Sequence, residues 1–84
     1  MAELASLRNI GKEIEKKLKS VGITAAEELK SVGSREAFIK LRSRYPNVCL
    51  VYLYALDGAI SDIDYNKLPT EVKKSLKDFG DSLK

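Results

Sequence analysis

Apolar positions along this chain recur with helical spacing in short blocks set apart by glycine and proline. Gly11, Gly22, Gly33 and Pro46 divide the first half, a spacing that suits short helices joined by tight turns. Between Gly11 and Gly22, Ile14, Leu18 and Val21 stand at i, i+4 and i+7, which predicts a helix with one apolar stripe. Glu13 with Lys17 and Glu15 with Lys19 are i,i+4 pairs in the favourable order. Thr24-Ala25-Ala26-Glu27 reads as a capping box that opens a second helix. That helix runs to about Val32, with Leu29 and Val32 inward and Gly33 as its stop. Ser34 is expected to cap a third helix, whose Ala37, Phe38, Leu41 and Tyr45 form an inner face before Pro46.

Residues 48–60 are locally ambiguous. Val-Cys-Leu-Val-Tyr-Leu-Tyr is rich in strand formers, and a short apolar run does not by itself separate a buried strand from a buried helix. The apolar character continues through Ala55, Leu56, Ala59 and Ile60, and the chain holds no second strand-like run to pair with it. A lone strand would leave its backbone groups unpaired, so the segment is expected to be a central helix buried nearly all round. Residues 61–68 then form a polar turn. Pro69 is expected at the first position of a last helix, along which Val72, Leu76, Phe79 and Leu83 repeat at helical spacing. The fold class is therefore all-α: a compact bundle of about five short helices around the central segment 48–60, in a single domain over 1–84.

Composition narrows the chemistry more than it names it. The chain has 84 residues, 44% hydrophobic, which is enough for one small core and no second. It has no histidine, which excludes imidazole general-base catalysis, the usual catalytic triads and nearly every catalytic zinc site. The single cysteine, Cys49, permits no disulfide within the chain, and in its apolar run a free thiol is expected to act as a small buried hydrophobe. No signal peptide is visible, and the longest apolar stretch, Val48 to Leu56, is far short of the ~18–20 residues that span a bilayer. The expectation is a cytoplasmic protein with no membrane contact, no metal, no cofactor and no enzymatic activity. Net charge is +3, but residues 1–44 carry ten basic and six acidic groups against five and six in residues 45–84. That asymmetry points an anionic partner toward the N-terminal half.

The N-terminal block Leu7-Arg8-Asn9-Ile10-Gly11-Lys12, followed by Ile14, Leu18, Gly22-Ile23-Thr24 and Leu29, resembles a helix-hairpin-helix motif. In that motif a Gly-h-Gly turn, h being an apolar anchor, presents backbone amides and a helix N-terminus to a DNA phosphate. Ile10 would be the anchor, Gly11 the second glycine and Lys12 a nearby cation. Asn9 replaces the first glycine: asparagine tolerates a left-handed backbone, but its side chain would crowd a phosphate. Across the chain, Leu-Arg-Asn-Ile-Gly (7–11), Val-Gly-Ile-Thr (21–24), Glu-Glu-Leu-Lys-Ser-Val-Gly (27–33), Tyr-Ala-Leu-Asp-Gly-Ala-Ile (54–60) and Leu-Pro-Thr-Glu-Val-Lys (68–73) occur in order. Together they resemble the C-terminal domain of the TfoX/Sxy family of bacterial competence regulators. The resemblance implies an α-helical bacterial cytoplasmic domain with a role in regulating DNA-uptake genes, and it supplies no enzymatic site.

Two functional readings follow, from different residues. In the first, Asn9, Ile10, Gly11, Lys12 and Lys16 contact DNA weakly and with strong salt dependence. Lys12, Lys16 and Lys19 then form one stripe opposite Ile14, Leu18 and Val21, supported by Arg8; Arg35 and Arg42, with Lys40 and Arg44, give a second basic surface. The plain reading of those charges is a solvated face, since Glu15 offsets Lys19. In the second, residues 45–65, with the four tyrosines Tyr45, Tyr52, Tyr54 and Tyr65, form a protein-partner or homodimer surface. Asp57 is expected to be a structural hydrogen-bonding residue, with the Tyr54 hydroxyl or the backbone N–H groups of an adjacent helix start as partner. Asp57, Asp62 and Asp64 lack the glycine and terminal glutamate of a calcium loop.

Overall fold

The computed structural model describes residues 4–83; of the single domain expected over 1–84, residues 1–3 and 84 lie outside the described residues. A 3-10 turn, Leu4–Ser6, leads into five helices: α1 (Lys12–Ser20), α2 (Ala26–Val32), α3 (Ser34–Arg44), α4 (Leu50–Ser61) and α5 (Thr70–Ser82), with a second 3-10 turn at Tyr65–Lys67. No strand occurs among the described residues. The apolar stripes face one another as their spacing requires. Leu18 from α1, Leu29 from α2, Phe38 and Leu41 from α3, Leu53 and Leu56 from α4, and Leu76 from α5 are all buried in one cluster. α4 lies at its centre, packed against α3, α5 and the second 3-10 turn, while α1 packs on α3 and the first turn.

The central helix starts at Leu50 rather than at residue 48, and this corrects the reading of Cys49. Val48 is buried, but Cys49 is the extended residue just before the first helical turn and is exposed. Its place in an apolar run suggested burial; the change from extended to helical backbone turns it outward instead. Within α4, Leu53, Ala55, Leu56, Gly58 and Ala59 are buried, Val51 and Ser61 are exposed, and the other residues are half-buried.

Three helix starts differ from their local signals. Ala25 and Ala26 are both buried and Thr24 is exposed, so α2 begins one residue late and the Thr24–Glu27 capping box does not form; the Thr24 hydroxyl bonds the Glu28 carboxylate instead. Ser34 is the first residue of α3, not its cap. Gly33, at φ 90°, both ends α2 and opens α3, a backbone that favours glycine. The buried Ser34 hydroxyl donates to Asp57 Oδ1 at 2.9 Å, so Asp57 meets the start of an adjacent helix through a side-chain hydroxyl rather than through the backbone N–H groups expected. Tyr54 is not its partner and points to the Lys73 carbonyl oxygen at 3.5 Å. Pro69 precedes α5 by one residue, with φ −55° and an extended ψ of 146°.

Candidate nucleic-acid interface

The turn before α1 is built from short-range bonds and one long-range lock. Leu7 N–H donates to the Leu4 carbonyl (3.0 Å) and Ile10 N–H to that of Leu7 (3.3 Å). Asn9 is left-handed at φ 71°, supplying the backbone that a glycine would otherwise provide. Ile10 is 5% exposed and anchors the turn in the core. Gly11, extended at φ −90° and ψ 178°, opens α1.

The Asn9 side chain does not stand at the open face of this turn. Its Nδ2 donates to the carbonyl oxygens of Ile63 (2.9 Å) and Ala55 (3.5 Å), and its Oδ1 accepts from the Tyr65 amide (3.2 Å). The end of α4 is shaped to receive it. Asp62, left-handed at φ 56°, closes α4 as a Schellman motif, with Ile63 N–H on the Gly58 carbonyl (2.8 Å) and Asp62 N–H on that of Ala59 (3.4 Å). Gly58 lets Asn9 and the Ile63 carbonyl approach so closely that a Cβ there would collide with both. The crowding expected from Asn9 therefore does not arise, because peptide groups some fifty residues away hold the amide.

Of the five residues proposed to meet phosphate, Asn9 and Ile10 thus hold the turn in place, while Gly11, Lys12 and Lys16 are exposed on its solvent side. Lys19 continues the stripe but lies 4.0 Å from Glu15. Arg8 is turned toward Asp62 (3.3 Å), an exposed pair that contributes little to stability. The second basic surface divides: Arg35 bonds Ser75 Oγ (3.0 Å) and lies over the Phe79 ring, and Arg44 lies over Tyr45.

Lys17 gains a role that its helical position alone did not suggest. It is half-buried, donates to the Tyr52 hydroxyl at 2.9 Å, lies over the Tyr45 and Tyr52 rings, and pairs with Glu13 at 3.4 Å. The only local signal was the Glu13–Lys17 spacing; both tyrosines come from elsewhere in the chain. Bonding to Tyr52, against a smaller opposing effect of burial and with help from Glu13, holds the Lys17 ammonium above its ordinary pKa. The Ser20 hydroxyl, 2.8 Å from the Tyr45 phenol, and then Arg44 lower the Tyr45 pKa.

Ionisation of Tyr45 is therefore stabilising in the fold. That contribution is full above the unfolded value of about 10 and is lost as pH falls through the lower folded value. Lys17 acts oppositely: its contribution is full below the unfolded value of about 10.4 and is lost as pH rises through the higher folded value. Titration by tyrosinate absorbance is expected to show the Tyr45 phenol ionising below the ordinary tyrosine value, and Ser20→Ala should move it back toward that value.

The tyrosines of 45–65 are all half-buried, and the hydroxyls of those at 45, 52 and 54 are hydrogen-bonded to Ser20, Lys17 and the Lys73 carbonyl oxygen. Val51 is the exposed large apolar side chain of that segment. Among the described residues no group of three or more Cys, Asp or Glu side chains is placed to hold a metal ion, and no helix is long and apolar enough to cross a membrane.

Comparison with known proteins agrees with this architecture. A family model described as the TfoX C-terminal domain matches residues 1–79. The crystal structure of an uncharacterised protein from Listeria monocytogenes, in a triclinic form, aligns with a TM-score of 0.95 and 44% identity, over 98% of this chain and 93% of that one. A tetragonal crystal structure of a protein of unknown function from the same organism aligns with a TM-score of 0.94 and 43% identity, over 96% of this chain and all of that one. No curated protein matches.

Proposed function

The chain belongs to the TfoX C-terminal domain family, and from that membership and the turn before α1 we propose that it is a non-enzymatic regulatory module that contacts nucleic-acid phosphates without sequence preference. The observation that carries this reading is the inward Asn9 side chain, which leaves the outer face of the turn to Gly11, Lys12 and Lys16. Gly11 has open space around its Cα, so a phosphate can approach the backbone there. The amides of the first turn of α1 lack a side-chain cap, and the helix dipole adds to the two ammonium groups. Glu13 and Glu15, in the same turn, oppose an anion, but their carboxylates are drawn toward Lys17 and Lys19.

So small a set of cations implies weak binding that salt dissolves. Fluorescence anisotropy with a labelled duplex and a labelled single strand, at about 50 and 200 mM salt, tests this directly. Binding is expected to fall steeply with salt, and Lys12→Glu with Lys16→Glu should abolish it. Replacing the same lysines by glutamine should lower the salt slope by about two, one for each phosphate no longer neutralised by an ammonium group. No binding at low salt up to roughly 100 μM protein, the weak end of the non-specific range, would remove the reading.

A further inference from the structure

A second feature of the molecule lies apart from the turn before α1. Where the last turns of α1 and α3 meet the approach to α4, a half-open pocket of about 320 Å³ is lined by Lys17, Arg44, Tyr45, Pro46, Asn47 and Tyr52. Its volume is at the lower end of small-molecule sites, which start near ~300 Å³. Two cations share its wall: Arg44 lies 5.8 Å from the Tyr45 ring centre, and Lys17 lies 5.4 Å from the same ring and 4.9 Å from that of Tyr52. The aromatic rings and the Tyr52 hydroxyl fix the Lys17 ammonium in place, so little side-chain freedom is left to lose on binding.

None of the described residues that line the pocket is acidic. α4 begins two residues beyond Val48, which also lines the pocket, and it is the one described α-helix with no acidic residue in its first turn. Glu13 is the carboxylate against Lys17, but it is 78% exposed, and such a pair yields readily to a ligand anion. The remaining wall is not that of a bare phosphate site. Pro46 and the Tyr45 ring offer flat apolar surface, and the Asn47 amide offers both a donor and an acceptor.

We propose that this pocket binds a nucleoside phosphate, with the phosphate between Lys17 and Arg44 and the ring system against Pro46, Tyr45 and Asn47. The phosphate belongs either to a free nucleotide or to the end of a nucleic-acid strand, and the chemistry recognised is the same. The pocket shares no residue with the Gly11–Lys12–Lys16 surface, so each site is tested by its own variants.

The test is amide-resolved NMR titration of the full chain with adenosine monophosphate, and separately with adenosine and with inorganic phosphate. Adenosine monophosphate is expected to shift the amides of residues 44–52 saturably, with a dissociation constant of roughly 1–5 mM. Adenosine and inorganic phosphate should each bind at least about tenfold more weakly, and Arg44→Gln should weaken adenosine monophosphate by about tenfold. Arg44 is exposed, so unchanged melting of Arg44→Gln confirms that folding is intact. The paired Lys12→Glu, Lys16→Glu variant should leave this binding unchanged.

Three results would overturn the proposal. They are absence of saturable shifts up to about 10 mM, inorganic phosphate acting as strongly as the nucleotide, and shifts that vanish in the Lys12/Lys16 variant. A short single strand with and without a 5′-phosphate separates the sources. Preference for the phosphorylated strand over the free nucleotide assigns the pocket to strand ends; the reverse assigns it to free nucleotides.

Discussion

Asn9→Ala is expected to destabilise the domain by roughly 2–4 kcal/mol, which for a chain of this size lowers the melting temperature by roughly 10–20 °C. Two effects add. Alanine at φ 71° carries the left-handed backbone penalty of about 1 kcal/mol or slightly more, which asparagine largely avoids. The Ile63 carbonyl and the Tyr65 amide, both on half-buried residues, then lose the Asn9 amide that pairs them. Thermal unfolding followed by circular dichroism measures the sum, and Asn9→Gly separates its parts. Glycine keeps the left-handed backbone but not the bonds, so it should recover about 1 kcal/mol of the loss and no more. If Asn9→Gly were as stable as the parent, the side-chain lock would have no weight. The turn would then resemble one with glycine at both hairpin positions.

The second large effect is a reversal of sign at Gly58. Helix propensity alone says that Gly58→Ala, in the last turn of α4, should stabilise by up to about 1 kcal/mol. The tertiary structure says the opposite. The new methyl group would meet the Ile63 carbonyl oxygen and the Asn9 amide well inside van der Waals distance, and both are held by the bonds just described. Overpacking of this kind costs about 1–3 kcal/mol, so after the propensity gain a net loss of up to about 2 kcal/mol is expected from denaturant unfolding. The Asn9→Ala, Gly58→Ala double variant should be more stable than the two single losses predict, by about 1 kcal/mol, because removing the amide removes half of the clash. Strict additivity would mean that the two residues do not meet.

The helices were largely legible because each carries its own periodic stripe. Val72, Leu76, Phe79 and Leu83 identify α5, and Ala37, Phe38 and Leu41 the inner face of α3; these are buried or half-buried as expected. Boundaries were less so. Thr24 and Ser34 have cap chemistry, yet the burial of Ala25 and Ala26 displaces one and a bond to Asp57 redirects the other. Cap preferences are worth only about 1 kcal/mol, and core packing outweighs them. The exposed part of the candidate phosphate surface, Gly11, Lys12 and Lys16, was readable as a glycine turn followed by a basic stripe. The roles of Asn9 and Lys17 were not, because Ile63, Tyr65, Tyr45 and Tyr52 are remote from them in sequence.

What the sequence determined by itself is what nearest neighbours along a helix can encode. That comprises the number and order of helices, their apolar faces, the glycine stops, and an inventory without imidazole. The long-range partners were decided only by the tertiary structure: an asparagine amide on the end of α4, a glycine that makes room for it, a serine hydroxyl on Asp57, a lysine between two tyrosines, and an outward cysteine. Periodicity says which side of a helix turns inward, since burial of a stripe rewards every residue on that side alike. It does not say which polar group each side chain meets there. That depends on how the helices are set against one another, and no local pattern records it.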